Sequence, residues 1–214
     1  MNEKTFSDGK TDLLRKNIEG LMSGFRLRHT LGAEAMAVRI GEIYCPNKVG
    51  ILRAAALLHD LTKELSKEDQ ILICREHGYE PSREELAAPA TRHSLTAAMV
   101  IPEKYAEYAC DELISAVRYH TTGRENMSIC EKIIYLADYI EDNREYDDCI
   151  ALREEFWSRH PEKMNEKDRM VHLDRVILHS FDFTVSELLQ KGRIVSLETV
   201  KARNYMVFEL ESLK

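Results

Sequence analysis

The chain has 214 residues, 44% of them hydrophobic and 31% charged, with a formal net charge of −7. That length suits one sizeable domain whose core can carry buried polar groups. The acidic balance disfavours a general nucleic-acid binder, and no stretch has the apolar length of a membrane span.

Helical periodicity runs through the sequence, and 9 Gly and 5 Pro are too few turn residues for a many-stranded β architecture. The reading is all-α, a single helical domain over 11–214 with residues 1–10 frayed. The N-terminus lacks a signal peptide's apolar run, so the expected location is cytoplasmic. A first helix is expected from about Thr11 to Met22. A second runs from about Arg26 to Ile43 and stops before Pro46, with Leu27, Leu31, Ala35 and Val38 as its apolar stripe. A third spans about Lys48 to Leu61, apolar on all sides through Ala54-Ala55-Ala56-Leu57-Leu58.

Ser66 caps a fourth helix ending near Gly78. Pro81 and Pro89 bracket a short helix at Arg83–Ala87. Further helices are expected at Thr91–Val100, Glu103–Tyr119 and Ser128–Glu141. Two or three more follow, with breaks near Pro161 and Gly192. Five cysteines, an odd number with no Cys-x-x-Cys pair, read as reduced and mostly buried.

Several polar groups do not belong in such helices. His59-Asp60 ends the most apolar one, and an ionised carboxylate buried without a partner costs several kcal/mol. Asp138 raises the same problem within Ile133–Ile140. His29, His93 and His120 stand in similar apolar settings. Each alone has an ordinary explanation, as a helix cap, a salt bridge or a satisfied core histidine. His77, His160, His172 and His179 read as surface or structural.

The set says more than its members. Imidazole and carboxylate together suit Fe, Mn, Zn, Co or Ni. His29, His59, Asp60 and Asp138 could supply one ion, leaving places for water or substrate. His93 and His120 would then serve a second ion that shares Asp60 as a bridge.

In this order, His29, His59-Asp60 and Asp138 resemble the HD superfamily of metal-dependent phosphohydrolases, and the two intervening histidines match its two-metal version. The chain is similar to the YqeK family over nearly its whole length. The likeness is carried by Arg26-Leu27-Arg28-His29-Thr30-Leu31-Gly32, by Ala56-Leu57-Leu58-His59-Asp60-Leu61-Thr62-Lys63, and by His120-Thr121-Thr122-Gly123-Arg124. Leu136-Ala137-Asp138-Tyr139-Ile140-Glu141 with Arg144, and Ala202-Arg203-Asn204-Tyr205, extend it. Asp142 stands where that family usually carries Pro.

The resemblance implies an HD-domain helical bundle with two metal ions, iron favoured and manganese or another transition metal as alternatives. It also implies symmetrical hydrolysis of diadenosine tetraphosphate to two ADP by a metal-bridging hydroxide, and a homodimer. Lys63, Arg144 and Arg26 are the expected phosphate contacts, with Asp60, Lys63 and Arg144 at the reaction centre. Thr121, Thr122 and Gly123 form a small polar loop that either offers donors to the nucleotide or is a plain helix-ending turn. Tyr119, Tyr135 and Tyr139 could stack on a base, core packing being their plainer role. The rival readings are an HD enzyme for a nucleoside monophosphate, a cyclic nucleotide or guanosine tetraphosphate, and a non-catalytic nucleotide-binding module.

Overall fold

The apolar run Ala54–Leu58 forms the middle of the molecule. In a computed structural model, which describes residues 6–213, these five side chains are 0–1% exposed. The described residues hold eleven α-helices and no strand, as the all-α reading expects. They are α1 (Asp8–Glu19), α2 (Gly24–Tyr44), α3 (Val49–Leu58), α4 (Lys67–Glu76), α5 (Arg83–Ala87), α6 (Arg92–Lys104), α7 (Asp111–Tyr119), α8 (Ile129–Ile140), α9 (Asp147–Ser158), α10 (Glu166–Gln190) and α11 (Leu197–Glu211).

Helix α3 lies against α1, α2, α7 and α8. Its alanines let those neighbours close in, and each fully buried leucine (Leu52, Leu57, Leu58) contributes roughly 1.5–3 kcal/mol. Helix α2 packs chiefly on α3 and α8, α6 on α7, and α10 on α11. The ends of α2, α3, α6, α7 and α8 therefore surround one another, which is where the unexplained histidines and aspartates lie.

Local chemistry sets many boundaries. Ser66 Oγ accepts from Asp69 N at the start of α4. At α8, Ser128 and Glu131 cap reciprocally. Gly78 and Gly192 take positive φ just beyond α4 and α10.

Four sequence expectations are corrected. Residues 1–5 lie outside the described residues, but the frayed segment does not reach Lys10. Phe6 is buried, α1 begins at Asp8, and Lys10 Nζ donates to Glu107 O at 2.8 Å. Helix α3 ends at Leu58, short of the expected Leu61, and a turn closed by Lys63 N donating to Asp60 O (3.0 Å) follows. Helix α6 runs through Pro102 to Lys104, where proline's missing N–H costs a single bond near the helix end. The break falls instead at 105–110, where Tyr108 leaves the helical path to bury its ring and donate to Lys10 O at 2.8 Å. No helix among the described residues is long and apolar enough to cross a membrane.

Candidate metal centre

The six singled-out side chains converge. His29 projects from α2, His59 and Asp60 follow the last turn of α3, His93 opens α6, His120 ends α7, and Asp138 lies in the last turns of α8. The two oxygens of Asp60 face different partners. Oδ2 lies 3.5 Å from both His29 Nε2 and His59 Nε2, while Oδ1 lies 3.0 Å from His93 Nε2 and 3.7 Å from His120 Nε2. Asp138 Oδ1 is 2.8 Å from His29 Nε2 and 3.6 Å from His59 Nε2.

The ring nitrogens point at one another: His29 and His59 approach Nε2 to Nε2 at 3.3 Å, His93 and His120 at 3.0 Å. His59 Nδ1 is 2.6 Å from Ala56 O, and His120 Nδ1 is 2.7 Å from Val117 O. A carbonyl only accepts, so both Nδ1 atoms carry the proton and the Nε2 lone pairs turn inward. Lone pairs and carboxylates gathered this way suit a cation between them. His29, His59 and Asp138 form one group that could hold a metal ion, and His59, Asp60 and His120 another.

The electrostatics agree. Burial works against charge on Asp60, but His59, His120 and His93 outweigh it and hold the carboxyl well below its usual range. Asp138 is likewise lowered against its burial, by Arg144 and His29 above all. Burial pulls His29 down, yet its bonds to Asp138 and Glu141 prevail and push it up to about 9. Positive charge is what those acids call for, and a metal ion would supply it in place of the proton. Burial pushes His93 down to about 3 and lowers His120, leaving both neutral, as ligands must be.

Glu141 is the residue that sequence reasoning missed. It is 1% exposed, and its Oε1 lies 3.2 Å from His29 Nδ1. Asn143 steadies its other oxygen through N (2.7 Å) and Nδ2 (2.9 Å). Gly32, one turn after His29, makes room: a Cβ there would collide with the Glu141 carboxylate and sit 2.6 Å from Asn143 Nδ2. Such a second partner fixes a ligand's ring and typically carries about 10–100-fold in metal affinity. Glu141→Gln should therefore weaken metal retention by about that factor in a chelator competition, with the fold intact. Unchanged affinity would remove Glu141 from the centre.

The expected substrate contacts divide. Lys63, Thr121 and Arg144 line a cleft of about 800 Å³ that also touches His120 and Asp138. Lys63 Nζ stands 3.2 Å from His93, and burial lowers its pKa against the pull of Asp60 and Asp138. Arg144 donates from Nη2 to Asp138 Oδ1 at 2.8 Å and from Nε to Asp138 O at 3.1 Å. Asp142, in place of proline, leaves that loop closed and pairs with Arg39 at 3.2 Å.

Arg26 reaches the centre, but its guanidinium is engaged by Asp60 rather than turned to the cleft. Thr122 and Gly123 do not line this cleft, and their donors are engaged within the protein. The Thr122 hydroxyl bonds Gly123 O (3.0 Å) and Glu198 Oε2 (3.1 Å), and Gly123 N donates to Tyr119 O at 2.8 Å. Tyr119 lies under the guanidinium groups of Arg118 and Arg124, and Tyr135 is buried against Phe181. The other four histidines stand elsewhere: His172 Nε2 meets Phe156 O, and His77, His160 and His179 pair with glutamates.

The HD domain model matches residues 26–143, from Arg26 beside the first ligand to Asn143 beside Glu141. The chain belongs to the HD domain family. The resemblance read from the motifs is borne out. Three relatives from Halalkalibacterium halodurans, Bacillus subtilis and Staphylococcus aureus are 28%, 28% and 29% identical, covering 86%, 85% and 88% of this chain and 90%, 89% and 90% of theirs. Each is named a symmetrical bis(5'-nucleosyl)-tetraphosphatase. A crystal structure from Clostridium acetobutylicum, described as a predicted HD superfamily hydrolase involved in NAD metabolism, superposes with a TM-score of 0.80. It is 32% identical, covering 96% of this chain and all of that one.

Proposed function

We propose that this chain is a metal-dependent hydrolase that cleaves diadenosine tetraphosphate, and related dinucleoside polyphosphates, symmetrically into two nucleoside diphosphates. The observation that carries the reading is the Asp60 carboxylate, which presents one oxygen to His29 and His59 and the other to His93 and His120. One carboxylate facing two donor sets is the arrangement a pair of cations needs. Cations held there, iron by preference, would lower the pKa of water and neutralise charge at the attacked phosphorus.

In this reading His29, His59 and Asp138 complete one ligand set, and His93 and His120 the other. Lys63 and Arg144, the two cationic side chains of the cleft, hold the remaining phosphates. Water adds to one central phosphorus, the bridging P–O bond breaks, and a nucleoside diphosphate leaves. Arg26 pairs with Asp60 and holds its carboxylate between the two sets. The three relatives named as tetraphosphatases support this substrate.

Product identification tests it. Metal-loaded protein should convert one diadenosine tetraphosphate to two ADP, with iron found by elemental analysis. ATP plus AMP, or released orthophosphate, would overturn the symmetrical assignment. A second reading, an HD hydrolase for another nucleotide, has one observation in its favour, the link to NAD metabolism in the description of the Clostridium protein.

A further inference from the structure

The cleft is charged unevenly. Its two cations, Lys63 and Arg144, both touch the ligand cluster. Away from the cluster, the walls come from the start of α9 and the last turns of α10, and the charged groups lining them are the carboxylates Asp147, Asp148 and Glu187. Asp147 and Asp148 occupy the first turn of α9, so acids already match that helix's positive end. A phosphate chain is repelled there. Two large rings nevertheless stand in solvent beside these acids: Tyr146 is 68% exposed and Phe183 43%.

Tyr139 Oη donates to Asp148 Oδ2 at 2.5 Å, and Glu187 is held by Lys191 one turn on. Apolar ring faces beside carboxylate acceptors suit a neutral, flat heterocycle that carries N–H donors.

We infer that this end of the cleft seats a nucleobase, its faces against Tyr146 and Phe183, and selects a base whose exocyclic amino group donates to Asp147. The inference rests on the hydrolase reading for the substrate's orientation, with phosphates at Lys63 and Arg144 and the base at α9 and α10. Neither Tyr146 nor Phe183 stands out in the sequence, because a single exposed aromatic at a helix start or near a helix end has no pattern of its own.

Calorimetry on the full, metal-loaded chain tests the seat without requiring turnover. Tyr146→Ala should weaken ADP binding about tenfold and leave inorganic tripolyphosphate binding within about twofold, as loss of one base stack requires. Purine riboside 5'-diphosphate, which lacks the amino group, should bind the unaltered protein several-fold more weakly than ADP, and Asp147→Asn should narrow that gap. Equal losses for ADP and tripolyphosphate, or no loss for either, would overturn the seat. If diadenosine tetraphosphate is hydrolysed but Tyr146→Ala binds ADP normally, the hydrolase reading stands and the seat falls. If nothing is hydrolysed but the binding pattern appears, the seat stands and the reading falls.

Discussion

His59→Ala should cost the protein its bound metal and about three orders of magnitude in turnover. A metal ion's stabilisation of phosphoryl transfer amounts to several kcal/mol, and about 4 kcal/mol corresponds to a thousandfold in rate. His59 is the right residue for this test because it belongs to both groups of side chains that could hold an ion. Its Nε2 lies among His29, Asp60 and Asp138, and its Nδ1 is held by the Ala56 carbonyl of its own helix. Removing the ring withdraws the one inward-facing donor that His59 brings to its set with His29 and Asp138. The fold loses less, since a freed carbonyl costs about 1–3 kcal/mol. Elemental analysis and kcat on diadenosine tetraphosphate read the result, with the thermal midpoint checking the fold. Normal metal content and normal turnover would remove the centre from this place in the molecule.

Gly123→Ala should produce the largest loss of stability. Gly123 sits at φ +64°, where an L side chain costs roughly 1–2 kcal/mol. A Cβ there would also lie 2.5 Å from Phe181 Cζ and 3.2 Å from Ala202 Cβ. Phe181 is fully buried and packed at a tilt against Tyr135, so its ring has little room to retreat. Overpacking of that kind adds about 1–3 kcal/mol. The sum, about 2–5 kcal/mol, is a large part of the roughly 5–15 kcal/mol that holds a domain together. The thermal midpoint should fall by on the order of 10 °C. An unchanged midpoint with a raised KM would instead place Gly123 in nucleotide binding.

Gly123 also shows where sequence reasoning stops. Its neighbours Thr121 and Thr122 follow a predicted ligand, and proximity in the chain made all three candidates for one role. Only Thr121 faces the cleft, because a turn sends successive side chains in different directions, and the pattern of residue types does not say which. The six candidate ligand positions were legible for the opposite reason. A histidine or aspartate amid small apolar residues on a helix conflicts with its surroundings, and that conflict is written in the local sequence.

Glu141 was not legible in that way. An acid ending a helix looks ordinary, and its burial depends on Gly32 in another helix. The faint signal was Gly32 itself, three residues after His29 on the same helical face. The fold divided similarly. Ser66, Ser128, Pro161 and Gly192 marked their boundaries through local chemistry. The break at 105–110 was set by Tyr108 reaching the carbonyl of Lys10, almost a hundred residues away. No local window contains that contact.

The collision that any side chain at position 32 would make with Glu141 ties two distant choices together. The absence of a side chain in the second helix and the length of an acid at the end of the eighth are a single specification. A chain that keeps this ring orientation therefore keeps position 32 bare for as long as Glu141 holds its present place.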